Sequence, residues 1–337
     1  RLAMISWRPT FRVGISVPLV GVVVCTVALF LSSPGVGLVL MVFNLTIWGW
    51  LTRRNLLTPW ETVRSGIAIS VAAWAARKSV GLEHSERAWK PDLMLPVSTA
   101  AQVRGLLGVA KALTKRGGSV KLIGLGEEAD LEPVIEEATR RLGEARVYAS
   151  WTVLAESAFG RGTVLSLDAM RGAFFPPNLV LVTADAHSQD DLQGILDRCR
   201  SLGVGLALFL PHPDGGMGKG EDIAVWLSDR SPDWTLKLRM ANLDLPVLAG
   251  LLLTAQRGRL SLITAVRATE HAPQAHKFLR SLMEMARLHP KTSTTVLVGS
   301  FSTVLPQAPR ADMHLLGLGP TVDIAGMVRI RDALGGA

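Results

Sequence analysis

No charged residue occurs between Val13 and Thr52, a run of 40 positions. At about 1.5 Å per helical residue the run would extend about 60 Å, twice the hydrocarbon thickness of a bilayer. Its middle holds Ser32, Ser33, Pro34 and Gly35, a turn signal. The expectation is therefore a hairpin of two membrane helices, Val13–Ser33 and Gly35–Leu51. Trp48 and Trp50 fall at the interfacial end of the second span. Pro18 and Gly21 in the first span require a neighbouring helix or a backbone adjustment to satisfy the freed carbonyl, and Asn44 in the second suggests a partner helix. Both ends of a hairpin lie on one side, and Arg8, Arg12, Arg53 and Arg54 mark that side as cytoplasmic. Residues 59–337 should then be cytoplasmic, hung from the lipid bilayer of the cell membrane.

The apolar run is too long for a signal peptide and lacks a small-residue cleavage pattern. A net charge of +8 and a pI near 10.0 raise nucleic acid as a partner, but the basic residues are spread out and several adjoin the apolar run. Anionic lipid accounts for them at about 1 kcal/mol per juxtamembrane Lys or Arg, and no nucleic-acid role is expected. Cys25 and Cys199 are too few for a disulfide framework or a cysteine metal site, which fits a reducing compartment. The chain starts at Arg1, close to its first apolar segment, and a piece of a longer protein is expected.

Residues 59–82 show an Ala-rich helical pattern and would form a linker, 59–90, between membrane and soluble parts. Beyond Pro91, short Val/Leu/Ile runs alternate with helical segments, the pattern of βα units that build a mostly parallel sheet. Strands are expected at Asp92–Val97, Ser119–Leu125, Arg146–Val153, Asn178–Thr183 and Val204–Leu210. Helices are expected at Gln102–Arg116, Leu131–Leu142 and Asp190–Leu202. The strands are near-continuously apolar, as when both sheet faces are covered. A Gly/Pro-rich linker at 213–221 separates this first lobe, 91–212, from a second, 222–337. There the pattern restarts with strand Ile223–Leu227, helix Leu245–Gln256, strand Arg259–Val266 and helix Gln274–Leu288. Strands Thr295–Ser300 and Met313–Leu318 and helix Val322–Arg331 follow. The segment Leu113–Ile123 matches Leu253–Ile263 at Leu, Thr, Gly, Leu and Ile with constant spacing, which implies two similar lobes.

Motifs for chemistry are sparse. Gly124-Leu125-Gly126, between a strand and a helix, resembles the start of a dinucleotide fingerprint, but the third glycine is missing. Glu127 and Glu128 stand where a phosphate needs positive charge. Gly215–Gly220 imitates a P-loop but has Pro213 at the first glycine position and Gly220 in place of the magnesium-binding hydroxyl. Asp185, His187, Asp190 and Asp191 follow a strand end, where α/β sheets often carry sites, with Asp190 as a candidate helix cap. The seven histidines show no metal-ligand spacing, and Gly299-Ser300-Phe301-Ser302 is no nucleophile elbow. Neither enzyme, cofactor nor metal site is expected. Gly124, Gly126 and Asp185 remain candidates for nucleotide binding.

Arg8-Pro9-Thr10-Phe11, with Gly21, Cys25 and Phe30 beyond it, resembles the start of the eleventh membrane helix of the cation–chloride cotransporters. Trp60 is similar to a Trp after their twelfth helix. Trp89-Lys90-Pro91, with Leu93 and Leu95, is similar to the Trp-Arg-Pro lead into their first cytoplasmic strand. Pro177-Asn178 with Leu179–Leu181, and Ala311-Asp312-Met313-His314-Leu315-Leu316, resemble two later strands. Thr183 and Ala184 depart from the family's Gly and aromatic, and the long acidic insert of animal members is replaced by the short linker. The resemblance spans nearly the whole chain and is to a compact prokaryotic relative. It implies the last two of twelve membrane helices, followed by two α/β lobes distantly like universal stress proteins that dimerise. It also implies sodium, potassium and chloride sites in helices outside this segment, and a C-terminus that stops near Ala337 before a final strand.

The expected function is thus a regulatory and homodimerising cytoplasmic module of a secondary-active, cation-coupled chloride transporter, working with the transporter's remaining membrane helices. The alternative is a membrane-anchored nucleotide-binding sensor.

Overall fold

The structure is a computed structural model, which describes residues 16–53, 71, 74, 90–212, 222–231, 234, 244–254 and 258–334. Elements are numbered over those residues. The chain divides into two units, Arg1–Glu86 and Arg87–Ala337, and each is described by itself.

In the first unit α1 spans Ser16–Ser32 and α2 spans Pro34–Arg53. Pro34, which lacks an amide hydrogen, suits the first position of a helix. Ser33 donates its N–H to Leu29 O (3.1 Å) and accepts from the Gly37 N–H (2.9 Å), so the junction lies inside the expected turn. Thr26, Asn44 and Thr46 donate to the carbonyls of Val22, Leu40 and Val42 at 2.7–2.8 Å. The apolar side chains are exposed, Leu31 at 81 %. Among the described residues no helix is long and apolar enough to cross a membrane. Two apolar helices, charged only at Arg53, therefore stand where the membrane hairpin was expected, but a membrane crossing is not displayed. Arg8, Arg12 and Arg54 lie outside the described residues, as does most of the 59–90 linker, of which Val71 and Trp74 are helical.

The second unit holds two sheets, and every strand pair in both is parallel. The first sheet has β1 (Asp92–Val97), β2 (Ser119–Leu125), β3 (Tyr148–Leu154), β4 (Leu179–Thr183) and β5 (Gly205–Phe209), in the order β3-β2-β1-β4-β5. Its helices are α3 (Ala100–Thr114), α4 (Glu128–Glu144), α5 (Phe159–Ala169) and α6 (Gln189–Leu202). Strand alternation divides the core. Leu93, Leu95, Val97, Val120 and Leu122 meet Leu106 and Leu113 of α3 and Ile135 and Leu142 of α4. Met94, Ile123 and Leu125 meet Phe159 and Leu167 of α5 and Leu192, Ile195 and Cys199 of α6 on the other face. Both faces are covered, as the near-continuous apolar strands required.

The second sheet has β6 (Asp222–Leu227), β7 (Arg259–Val266), β8 (Ser293–Val298) and β9 (Met313–Leu315), in the order β8-β7-β6-β9. Its helices are α7 (Asp244–Thr254), α8 (Ala272–Met285), the single-turn α9 (Phe301–Val304) and α10 (Ile324–Ala333). This is the first sheet's topology without a fifth strand. The matched segments Leu113–Ile123 and Leu253–Ile263 occupy equivalent places, the end of a lobe's first helix and most of its second strand. Helix α5 was not anticipated, and the expected strand Met313–Leu318 closes at Leu315 because the chain turns away to dock on the first lobe. The linker 213–221, with its P-loop imitation, lies outside the described residues.

Candidate functional site

In a sheet of this order the strand connections reverse between β1 and β4, and the crevice beyond their C-terminal ends is where α/β folds hold ligands. The sequence candidates flank it. Gly124 lies at the end of β2 and Gly126 just after it, Asp185 follows β4, and β1 runs between them, so they stand two strand spacings, about 10 Å, apart.

The glycines answer to packing. A Cβ on Gly124 would come within 2.8 Å of Ile135 and 2.9 Å of Val153, so the missing side chain is what lets α4 lie on β2. Gly126 holds φ +140°, open to glycine alone, while its N–H reaches Leu154 O at 3.1 Å. Asp185 is exposed. Helix α6 is capped by Ser188, not by Asp190: the Ser188 hydroxyl accepts the Asp191 N–H at 3.2 Å and donates to the Asp191 carboxylate at 2.7 Å. Asp190 and Asp191 lie in the first turn, where they complement the helix dipole.

The crevice itself is filled by the chain. Thr99 caps α3 by accepting the Gln102 N–H (3.4 Å), and Gln102 Oε1 accepts from the backbone N–H groups of Ser98 (2.6 Å) and Thr99 (3.2 Å). Those donors fix which end of the amide is oxygen, so its Nε2 donates to His187 Nε2, 3.0 Å away. His187 therefore accepts at Nε2 and keeps its proton on Nδ1. The imidazole stacks on Phe159 with centroids 3.4 Å apart and planes 10° from parallel. Burial pulls the His187 pKa below 6.5, against the upward pull of Asp191 and Asp185. The rim is mostly acidic, with Glu127, Asp130, Glu156, Asp185, Asp190 and Asp191 exposed or half-buried, and with Arg161 paired to Glu156 at 3.9 Å. Its net charge is unfavourable to phosphate. The expected helix start at Gln102 missed the cap at Thr99, which the Thr99-x-x-Gln102 spacing of a capping box would have signalled, whereas nothing local announces the contact of Gln102 with His187, 85 positions away.

The second lobe differs at this level. The Trp226 Nε1–H donates to His314 Nδ1 at 3.1 Å, and burial lowers the His314 pKa below 6.5. Trp226 meets Phe301 edge-on at 5.4 Å. These side chains line a cleft of about 1080 Å³ between the lobes, shared with Phe209, Leu210 and Met327. It is large enough for a drug-sized molecule. The lobes are joined on both faces of the first sheet. Leu245, Ala249, Leu252 and Leu253 of α7 pack into the core under α3 and α4. From α6, Arg200 donates to Gly319 O (2.8 Å) and Pro320 O (2.6 Å), and Gln193 Oε1 accepts the Val322 N–H (2.8 Å).

Ser300 opens the single turn α9, its hydroxyl within 3.0 Å of Thr303 Oγ1, with no base beside it in the hydrogen bonds of the described residues. Among the described residues no group of His, Cys, Asp and Glu could hold a metal ion. Burial pushes the Cys199 thiol up to about 12, which leaves it unreactive. The arrangement is suited to holding two lobes together around a hollow.

Residues 95–217 match the family described as "Prokaryotic cation-chloride cotransporter, C-terminal domain, 1st", and residues 218–335 match its "2nd" counterpart. No curated protein matches the chain. The crystal structure of the cytoplasmic domain of a prokaryotic cation chloride cotransporter is similar at 26% identity and a TM-score of 0.66, over 74% of this chain and 93% of that one. A universal stress protein from Archaeoglobus fulgidus DSM 4304 is similar at 12% identity and a TM-score of 0.43, over 73% and 92% of the two chains.

Proposed function

The chain belongs to the prokaryotic cation–chloride cotransporter family, and from that premise we propose that it is the C-terminal part of a secondary-active, cation-coupled chloride transporter. The observation that carries the proposal is the succession of two lobes matching, in order, the first and second C-terminal domains of that family. The apolar helices α1 and α2 would be the last membrane spans, and the lobes a non-enzymatic cytoplasmic module. That module would pair with a second copy and bias the transport cycle. Sodium, potassium and chloride would bind in helices upstream of Arg1. A rigid unit suits such a role, because two lobes fastened through α7 on one face and through Gln193 and Arg200 on the other move together.

The filled and acidic crevice of the first lobe speaks against the nucleotide-sensor alternative. A nucleotide would have to displace Gln102, Phe159 and His187 and approach six carboxylates.

The test is to remove residues 91–337 from the full transporter in proteoliposomes and follow chloride-coupled cation uptake. The proposal expects a loss of at least severalfold in flux, or of its dependence on dimer formation. Undiminished and normally regulated flux would refute it.

A further inference from the structure

Charge on the first lobe is divided between the two edges of its sheet. The C-terminal edge carries the six carboxylates of the crevice rim. The opposite edge, where β1 to β4 begin, carries Lys90, Lys115, Arg116, Arg146 and Arg171, all exposed. Its carboxylates are engaged: Asp92 accepts from the Ser119 hydroxyl (2.6 Å), Asp168 pairs with Arg198, and Glu137 and Glu144 pair with Arg140.

Three aromatic rings stand out of the same edge. Tyr148 is 58 %, Phe174 52 % and Phe175 37 % exposed. Phe175 meets Tyr148 at 5.5 Å and Phe174 at 4.4 Å, so they form one cluster. A buried lysine holds it in place. Lys121, 6 % exposed on β2, donates to the Phe175 carbonyl and to the Ser119 hydroxyl (3.3 Å). Anchoring a loop of two exposed phenylalanines with a buried ammonium makes little sense for a surface that only meets water.

We propose that this N-terminal edge of the first lobe is a docking surface for an anionic lipid leaflet, with Phe174 entering the headgroup region and the five basic residues facing the phosphates. Exposed aromatic rings among Lys and Arg are the composition that interfaces select. A second copy of the same edge would set five cations against five. Nucleic acid needs open ring faces for stacking, whereas Phe174 and Phe175 lie edge to face, 62° apart. The inference stands on the surface of the first lobe and not on transport, so its failure is distinguishable from failure of the transport reading.

The test uses the full chain in nanodiscs of phosphatidylcholine, alone or with about 30% phosphatidylserine. Amide hydrogen exchange is followed in the segments that contain Arg146–Tyr148 and Arg171–Phe175. Exchange should slow by about threefold or more with phosphatidylserine and recover at about 0.5 M salt, where charges are screened within a few ångströms. The double variant Phe174→Ser/Arg171→Glu, on the exposed surface, should show no lipid dependence, while Glu127→Gln at the opposite edge should behave as the parent. Equal exchange in the two lipids would overturn the proposal. So would protection that follows the number of protein copies per disc, or that RNA confers and phosphatidylserine does not.

Discussion

The two lobes share one topology but differ from edge to edge. At the N-terminal edge several backbone contacts recur. β1 and β6 both begin with aspartate, and in each lobe the residue before the fourth strand clamps that aspartate's backbone. Asn178 accepts the Asp92 N–H (2.9 Å) and gives its own N–H to Asp92 O (3.0 Å); Asp312 accepts the Asp222 N–H (3.1 Å) and gives its own to Asp222 O (2.8 Å). Helices α3 and α7 end alike, Thr114 and Thr254 each donating to the carbonyl four residues back, at 2.7 and 2.8 Å. At the C-terminal edge the agreement ends. The first lobe closes its crevice with Gln102, Phe159 and His187, while the second opens onto the cleft at Trp226 and His314. The recurring backbone clamp sits where the strands start, and the two lobes use different side chains where they end.

The largest test of that difference is at Gly124, whose counterpart on β7 is Thr264. Thr264 is fully buried and donates to Leu227 O at 2.9 Å. Gly124→Thr would drive new atoms into Ile135 and Val153, and overpacking of this kind costs about 3 kcal/mol. Chemical denaturation of the full chain should show the first lobe weakened, with no compensating hydrogen bond. A change below about 1 kcal/mol would mean that α4 is free to lift from β2.

A smaller effect is expected at the shared clamp. Asn178→Ala leaves the Asp92 N–H without its acceptor and removes the side-chain donation to Lys90 O (2.6 Å), for a loss of about 2 kcal/mol. Asp312→Ala should cost a similar amount in the second lobe. If only one lobe responds, the clamps are not equivalent.

These equivalences were partly legible. Leu113–Ile123 and Leu253–Ile263 announced the repeat because a helix end, a glycine and a strand start impose local residue choices. Ser119–Leu125 and Arg259–Val266 were delimited correctly for the same reason. Helix α5 was not legible. Gly160 and Gly162 lower its helix propensity, and both are there because Asp191 and Leu125 press so close that a Cβ would meet them at 2.3 and 2.7 Å. Gly124 and Gly126 have structural reasons of their own: α4 presses on Gly124, and Gly126 holds φ +140°. The Gln102–His187 contact joins residues far apart in the chain, and no periodicity reports such a meeting.

That contact gives a test in pH. Burial lowers the folded pKa of His187 below 6.5, so the unfolded chain binds the proton first. Its stabilising contribution is complete above about pH 6.5 and falls as the pH drops toward the folded value. Protonation also removes the acceptor that Gln102 Nε2 uses among the described residues, and the amide cannot flip to compensate because Oε1 is committed to the cap of α3. Stability should decline between pH 7 and 5, and His187→Phe should flatten part of that slope. His314 is shifted in the same direction by burial alone, so the second lobe should contribute a slope that His187→Phe leaves untouched. A slope unchanged by the substitution would separate the histidine from the cap.

The smallest effect concerns a shared oddity. Helices α4 and α8 both finish with Ala-Arg, and Arg146 and Arg287 hold φ +63° and +49°, the left-handed region. In each lobe the next residue closes the same loop, Val147 donating to Leu142 O at 3.0 Å and Leu288 to Met283 O at 2.9 Å. Glycine is the usual occupant of this position, and a residue with a Cβ costs about 1 kcal/mol there. Arg146→Gly and Arg287→Gly should therefore each stabilise the chain by about 0.5–1 kcal/mol in detergent, less what glycine's freedom gives back to the unfolded state. The lobes then part company in nanodiscs. If Arg146 faces an anionic leaflet, its replacement should weaken lipid-dependent protection of the Phe174 loop, whereas Arg287→Gly should leave that protection intact. Equal behaviour of the two variants on phosphatidylserine would return Arg146 to a purely structural role, shared by both lobes.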